Sequence, residues 1–127
     1  MSFNWAEYLS VAETLCGVLV SGRPAGVEAQ LRTGVSRAYY AAFVSARNRL
    51  RDVDNVLFPQ NSNPHRFVAD QYEKDADLLR RRIGIELRRL RRNRNTCDYD
   101  DVVNGLPKVT SRSLAQALQI LTDLGSL

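Results

Sequence analysis

Apolar positions recur at three- and four-residue steps along most of the chain, and no stretch alternates with the two-residue period of a strand. Trp5, Tyr8, Leu9, Ala12, Leu15, Cys16 and Leu19 form the first stripe. Asn4 with Glu7 three residues on has the form of a capping box, which predicts a helix over about residues 4–21, stopped by Ser21, Gly22, Arg23 and Pro24. Val27, Leu31, Val35, Ala38, Tyr39, Ala42, Phe43, Ala46 and Leu50 define a long second helix. Residues 52–64 carry Pro59, Asn61, Ser62, Asn63 and Pro64, a loop that is long for a bundle, although Val56, Leu57 and Phe58 can pack over a helix end.

Asn63 and Pro64 make an N-cap and first-turn pair, and open a third helix with Phe67, Val68, Tyr72, Ala76 and Leu79 in period. Gly84 leaves two readings. Either a break at residues 74–77 precedes a fourth helix ending near Asn95, or one long helix bends here; the break is preferred. Asn104, Gly105 and Pro107 mark a turn before a last helix with Val109, Leu114, Ala117, Leu118, Leu121 and Leu124 on its apolar side. The expectation is an all-α, antiparallel up-and-down bundle of four to five helices, with residues 1–127 as one domain.

Charge alters this picture more than bulk composition does. Sixteen of the eighteen basic residues are Arg, eight of them within the fifteen positions 80–94, and the formal net charge is +4. The planar guanidinium grips phosphate or carboxylate with paired hydrogen bonds, so an anionic partner is expected. The alternative is a solvated helix face, or Arg codons favoured by a GC-rich genome. Two cysteines, Cys16 and Cys97, with no CxxC spacing suit a reduced cytoplasmic setting. No stretch approaches the roughly twenty apolar residues of a membrane span, so a soluble, unexported chain is predicted.

One arginine stands out. Ile83, Leu87, Leu90, Arg94 and Cys97 fall on one helix face at steps of four, three, four and three, so a face built to bury itself presents a guanidinium. Leaving such a charge unpaired costs about 3–5 kcal/mol, so Arg94 needs a receiver, expected in a twin subunit or an anion. Beside it Arg88, Arg91 and Arg92 are candidate nucleic-acid contacts. His65, just inside a helix N-terminus, is disfavoured in its charged form and is either structural or a base. On the second helix Arg37, Tyr40, Val44 and Arg47 line a mixed face of the kind found at wet protein contacts, and either meet a second copy or lie at the surface. Asp98, Asp100 and Asp101 either ligate a hard cation or, more commonly for acids just past a helix, cap the turn or pair with arginine. With one His there is no Glu-x-x-His pair, and neither phosphate-loop nor dinucleotide glycine motifs occur, so no metal or cofactor is predicted.

SRAYYAAFVSARNRL at residues 36–50 and LRRLRRNRNTCDYDD at 87–101, with His65 in PHRFVADQY between them, together resemble the HEPN superfamily, closest to small stand-alone members with SRAYYAAF and RNxADYD-type motifs. The resemblance spans nearly the whole chain. It implies a helical bundle that dimerises with the late motif at the two-fold interface, and metal-independent ribonucleases of toxin-antitoxin or antiviral systems, often beside a nucleotidyltransferase antitoxin. Active members carry an Arg, often followed by Asn, with a His a few residues on. By position Arg94 matches the Arg and Asn95 its neighbour, while Tyr99 stands where the His would be. A phenol with a pKa near 10 is a poor base, so binding of RNA or a nucleotide survives this change better than cleavage. The candidate catalytic set is Arg94, Asn95, Tyr99 and His65, and the alternative is a non-catalytic module that binds a nucleotidyltransferase partner.

Overall fold

A computed structural model describes residues 3–18 and 20–127. It is all-α: α1 (Glu7–Cys16), α2 (Val27–Asp52), α3 (Pro64–Glu73), α4 (Leu78–Tyr99) and α5 (Leu106–Gly125). None of these helices is long and apolar enough to cross a membrane.

The first helix is shorter than predicted. Gly17 adopts the left-handed conformation (φ 67°) and returns its amide to Glu13, ending α1 well before residue 21; Leu19 lies outside the described residues. The capping box also does not form. Asn4 Oδ1 accepts from the Ala6 amide at 3.2 Å, while the Glu7 carboxylate reaches across to the Gly26 amide at 3.0 Å. Most of the predicted stripe, including Leu9, Ala12 and Leu15, is consequently exposed.

Other signals translate directly. Asn63 caps α3 through the amides of His65 and Arg66, Pro64 takes the first turn, and the break before α4 falls where Asp77 caps the Arg80 amide. Gly84 is the reason α3 and α4 approach closely: a Cβ there would stand 2.5 Å from the Glu73 backbone nitrogen and 2.7 Å from the Ala69 carbonyl oxygen. Val56 and Phe58 pack against the core, whereas Leu57 is exposed.

Helix α4 runs antiparallel to α2, since Arg80 pairs with Asp54 at one end while Cys97 packs with Val35 at the other. It is likewise antiparallel to α5, with Arg82 on Asp123 and Asn93 on Ser113. Helix α3 follows the direction of α2: His65 meets Tyr39, and Tyr72 donates to the Ala46 carbonyl at 2.8 Å. The long loop is what carries the chain back for this second pass. The main core joins Tyr39, Phe43, Ala46 and Leu50 to Val68, Tyr72, Ile83, Leu87, Leu90 and Ile120.

In α5 the polar partners set the rotation. Thr110, Ser113 and Asp123 are buried, while Leu114, Leu118 and Leu121 of the predicted stripe face outward. Asn93 donates to Ser113 Oγ at 3.2 Å and Arg82 donates twice to the Asp123 carboxylate, so these polar groups share the buried side with Ala117, Ile120 and Leu124.

Candidate phosphate-binding site

The last turns of α4 lie against the first half of α2 and the start of α3. The Arg94 side chain is 13% exposed and is received within the chain. Its Nη2 donates to Tyr40 Oη at 2.8 Å and its Nη1 to Asn95 Oδ1 at 2.9 Å. Its Nε stands 2.8 Å from Asp98 Oδ2, an ion pair by distance whose angle falls outside hydrogen-bond geometry, so that nitrogen lacks a directed acceptor. The rings of Tyr40, Tyr39 and Tyr99 lie 5.2, 5.7 and 5.9 Å from the guanidinium carbon. The expectation of a receiver outside the chain is therefore corrected: α4 extends past Asn95 to Tyr99, which brings Asp98 one turn on from Arg94. Burial nevertheless pushes the Asp98 carboxyl above its ordinary value, against the pull of Arg94, Ser36 and Arg37.

His65 joins this cluster. Its Nδ1 is 2.7 Å from Tyr39 Oη, in one hydrogen bond whose direction follows the ring tautomer, and the imidazole stacks on Phe43 at 4.3 Å. Burial first, then the charges of Arg91 and Arg94, hold the His65 pKa below its usual value, so the ring is neutral at neutral pH. Burial pushes Tyr39 up to about 12, which keeps it a phenol. Arg91 contributes to the field at both groups, and its own Nε is buried with no partner in the chain.

The arginine run divides. Arg80 pairs with Asp54, Arg82 with Asp123, Arg89 with Glu86, and Arg88 with both Asp70 and Glu73, tying α3 to α4. Among the described residues Arg81, Arg91 and Arg92 have no carboxylate partner, and Arg92 is exposed. Most of the run is therefore spent inside the molecule, and of the four predicted nucleic-acid contacts Arg91 and Arg92 are the free ones.

On α2, Arg37 is exposed with its guanidinium 5.0 Å from the Tyr40 ring, Tyr40 and Val44 are half-buried, and Arg47 holds Asn48. Tyr40 thus stands between Arg37 and Arg94, so the face read as a contact surface and the Arg94 cluster are continuous. Arg37 and Asp98 also line a cavity of about 230 Å³ between α1 and α2, with Val11 and Leu15 as apolar walls. Tyr99 is 69% exposed on the outer side of Arg94. Among the described residues no group of three or more His, Cys, Asp or Glu is placed to hold a metal ion. Asp98 is taken by Arg94, and the Asp101 carboxylate accepts from Trp5 Nε1 at 3.1 Å.

Sequence reasoning missed two groups. Tyr39 reads as a core residue yet carries the hydroxyl that holds His65. Arg32 is completely buried and donates to the carbonyls of Cys97, Asp100 and Asp101 at 3.0, 2.7 and 3.2 Å. The signal was present: Ala29, Arg32, Ser36, Tyr39, Phe43 and Ala46 run at steps of three and four, the same argument that singled out Arg94. The cluster can accept an anion beside Arg91 and Arg94 and offers a neutral imidazole next to it. Comparison of the chain with family models, curated proteins and solved structures returns no match.

Proposed function

We propose that this chain is an HEPN-like protein that binds single-stranded RNA, seating a phosphodiester against Arg91 and Arg94 with Tyr99 at the rim. The observation that carries this reading is Arg91, which has no carboxylate partner and whose Nε meets no acceptor in the chain, three residues before the Arg94 that shares its field at His65 and Tyr39. Two guanidiniums against the one carboxylate of Asp98 leave net positive charge for a phosphate to meet.

Cleavage is the second reading, favoured by the neutral His65 in the field of both arginines. In that reaction the 2′-hydroxyl gives its proton to the imidazole as its oxygen attacks phosphorus; the bond to the 5′-oxygen breaks, leaving a 2′,3′-cyclic phosphate, and the 5′-oxygen takes a proton from water. His65 then supplies the base that Tyr99 cannot. Pairing of two copies through the mixed face of Arg37, Tyr40, Val44 and Arg47, and capture by a nucleotidyltransferase antitoxin, which rests on the resemblance, belong to the same proposal.

The test is fluorescence anisotropy with a labelled single-stranded RNA at two salt concentrations. Wild type binds and weakens steeply with salt; Arg91→Ala and Arg94→Ala each lose about tenfold, the size of one charge-assisted contact. Equal affinity in all three proteins overturns the reading. In chelator, cleavage by wild type that disappears in His65→Ala selects the enzyme; bound but intact RNA selects the module.

A further inference from the structure

We propose that Arg32 is a positioning residue of this site, holding Asp98 and Tyr99 in place through the backbone of the last turn of α4; this rests on the RNA-binding reading above. A helix end leaves carbonyls without intrahelical donors, and a cation there also meets the negative end of the helix dipole. Arg32 supplies both from outside α4. It is fully buried, its Nη1 serves Cys97 and Asp100, and its Nη2 serves Asp101. Its one carboxylate contact is Glu28 at 3.2 Å, which is half exposed. The rings of Phe3 and Trp5 lie 4.4 and 5.0 Å from the guanidinium carbon.

The same turn is latched from the N-terminal side. The Phe3 amide donates to the Asp101 carbonyl at 3.0 Å, Trp5 Nε1 to the Asp101 carboxylate, and Tyr8 Oη to the Cys97 carbonyl at 3.0 Å. What this machinery holds is the segment that the sequence alone ends near Asn95. Only while residues 96–99 stay helical does Asp98 stand one turn from Arg94, within ion-pair reach, with the Tyr99 ring alongside. Three carbonyls spread over residues 97–101 need a forked donor, which lysine lacks.

The test uses Arg32→Lys and reads two things. Hydrogen exchange follows the amides of Tyr99 and Asp100, the latter bonded to the Thr96 carbonyl at 3.0 Å, against those of Leu87 and Leu90 in mid-helix. The end amides are expected to exchange about tenfold faster, as loss of a charge-assisted bond allows, with the mid-helix unchanged. RNA affinity is measured in the wild-type and Arg94→Ala backgrounds: Arg32→Lys weakens the first about tenfold and the second not at all. A folded Arg32→Lys with unaltered end amides, or an equal loss in both backgrounds, overturns the proposal. Where Arg32→Lys does not fold, Trp5→Phe decides: it keeps a ring over Arg32, removes the Asp101 latch, and must speed the Asp100 amide selectively. RNA that fails to bind wild type refutes the binding reading, while amide exchange still judges Arg32.

Discussion

Replacing Gly84 with alanine sets two effects of opposite sign against each other. In an unconstrained helix interior the change is stabilising by about 1 kcal/mol, because glycine carries the larger conformational entropy. Here the added Cβ would stand 2.5 Å from the Glu73 nitrogen, 2.7 Å from the Ala69 oxygen and 2.9 Å from the Glu73 Cα. All three are backbone atoms, so no side chain can swing aside and α3 must move as a body. Overpacking of this kind costs about 3 kcal/mol at the upper end of its usual range, leaving a net loss of about 2 kcal/mol. For a domain of this size that is a fall of roughly 8 °C in melting temperature. The displaced helix carries His65, so the variant should also move that imidazole off Phe43 and Tyr39. Urea unfolding gives the first quantity and the His65 ring resonances the second. A Gly84→Ala protein as stable as wild type, with its His65 resonances in place, refutes the argument that close α3–α4 contact fixes this end of the site.

Tyr72→Phe removes the donor to the Ala46 carbonyl from a fully buried ring and should cost about 1 kcal/mol in urea unfolding; an unchanged midpoint contradicts it. Asp54 and Asp123 are held below the ordinary carboxylate value by hydrogen bonds from Arg80 and Arg82. Their stabilisation is complete above the unfolded value near pH 4 and is lost as pH falls through the lowered folded one. A protein with both changed to Asn should therefore show a flatter acid limb, and an identical limb counts against the pairing. Asp98 has the opposite sign, since its raised value means that the ionised form opposes folding above it. Asp98→Asn, which removes that opposing charge, should therefore unfold at a similar or higher urea concentration at neutral pH; a clearly lower midpoint counts against this sign. If His65 is the base, cleavage should still exceed half its plateau rate at pH 6.5, because burial and the two arginines lower its pKa from the ordinary value, and a rate already halved at pH 6.5 rules that out.

The helices were legible wherever one residue type settles a local geometry: Asn63 and Pro64 start α3, the break before α4 falls within residues 74–77, and Ala42 and Ala46 of α2 lie in the core. What periodicity could not decide was which of two competing faces a helix buries. In α5 Leu114, Leu118 and Leu121 face outward, while Ser113 and Asp123 take donors from Asn93 and Arg82 of α4 on the side that also buries Ala117, Ile120 and Leu124. In α1 one left-handed glycine outweighs a continuous stripe. At the site, Arg94 was found by its place among apolar neighbours, but its receiver was not, because the length of α4 depends on Arg32, sixty-odd positions earlier in the chain. Pairing across long sequence separations also decided which arginines stay free.

In the proposed complex Arg91 and Arg94, rather than the outward face of α4, take the phosphate. Guanidinium Nε–Hε resonances, followed while a short single-stranded RNA is titrated in, report on each arginine separately. The Arg91 and Arg94 signals should shift first and furthest, with Tyr99 ring protons moving in step. Movement confined to Arg81 and Arg92, with Arg91 and Arg94 unmoved at saturation, would contradict that complex.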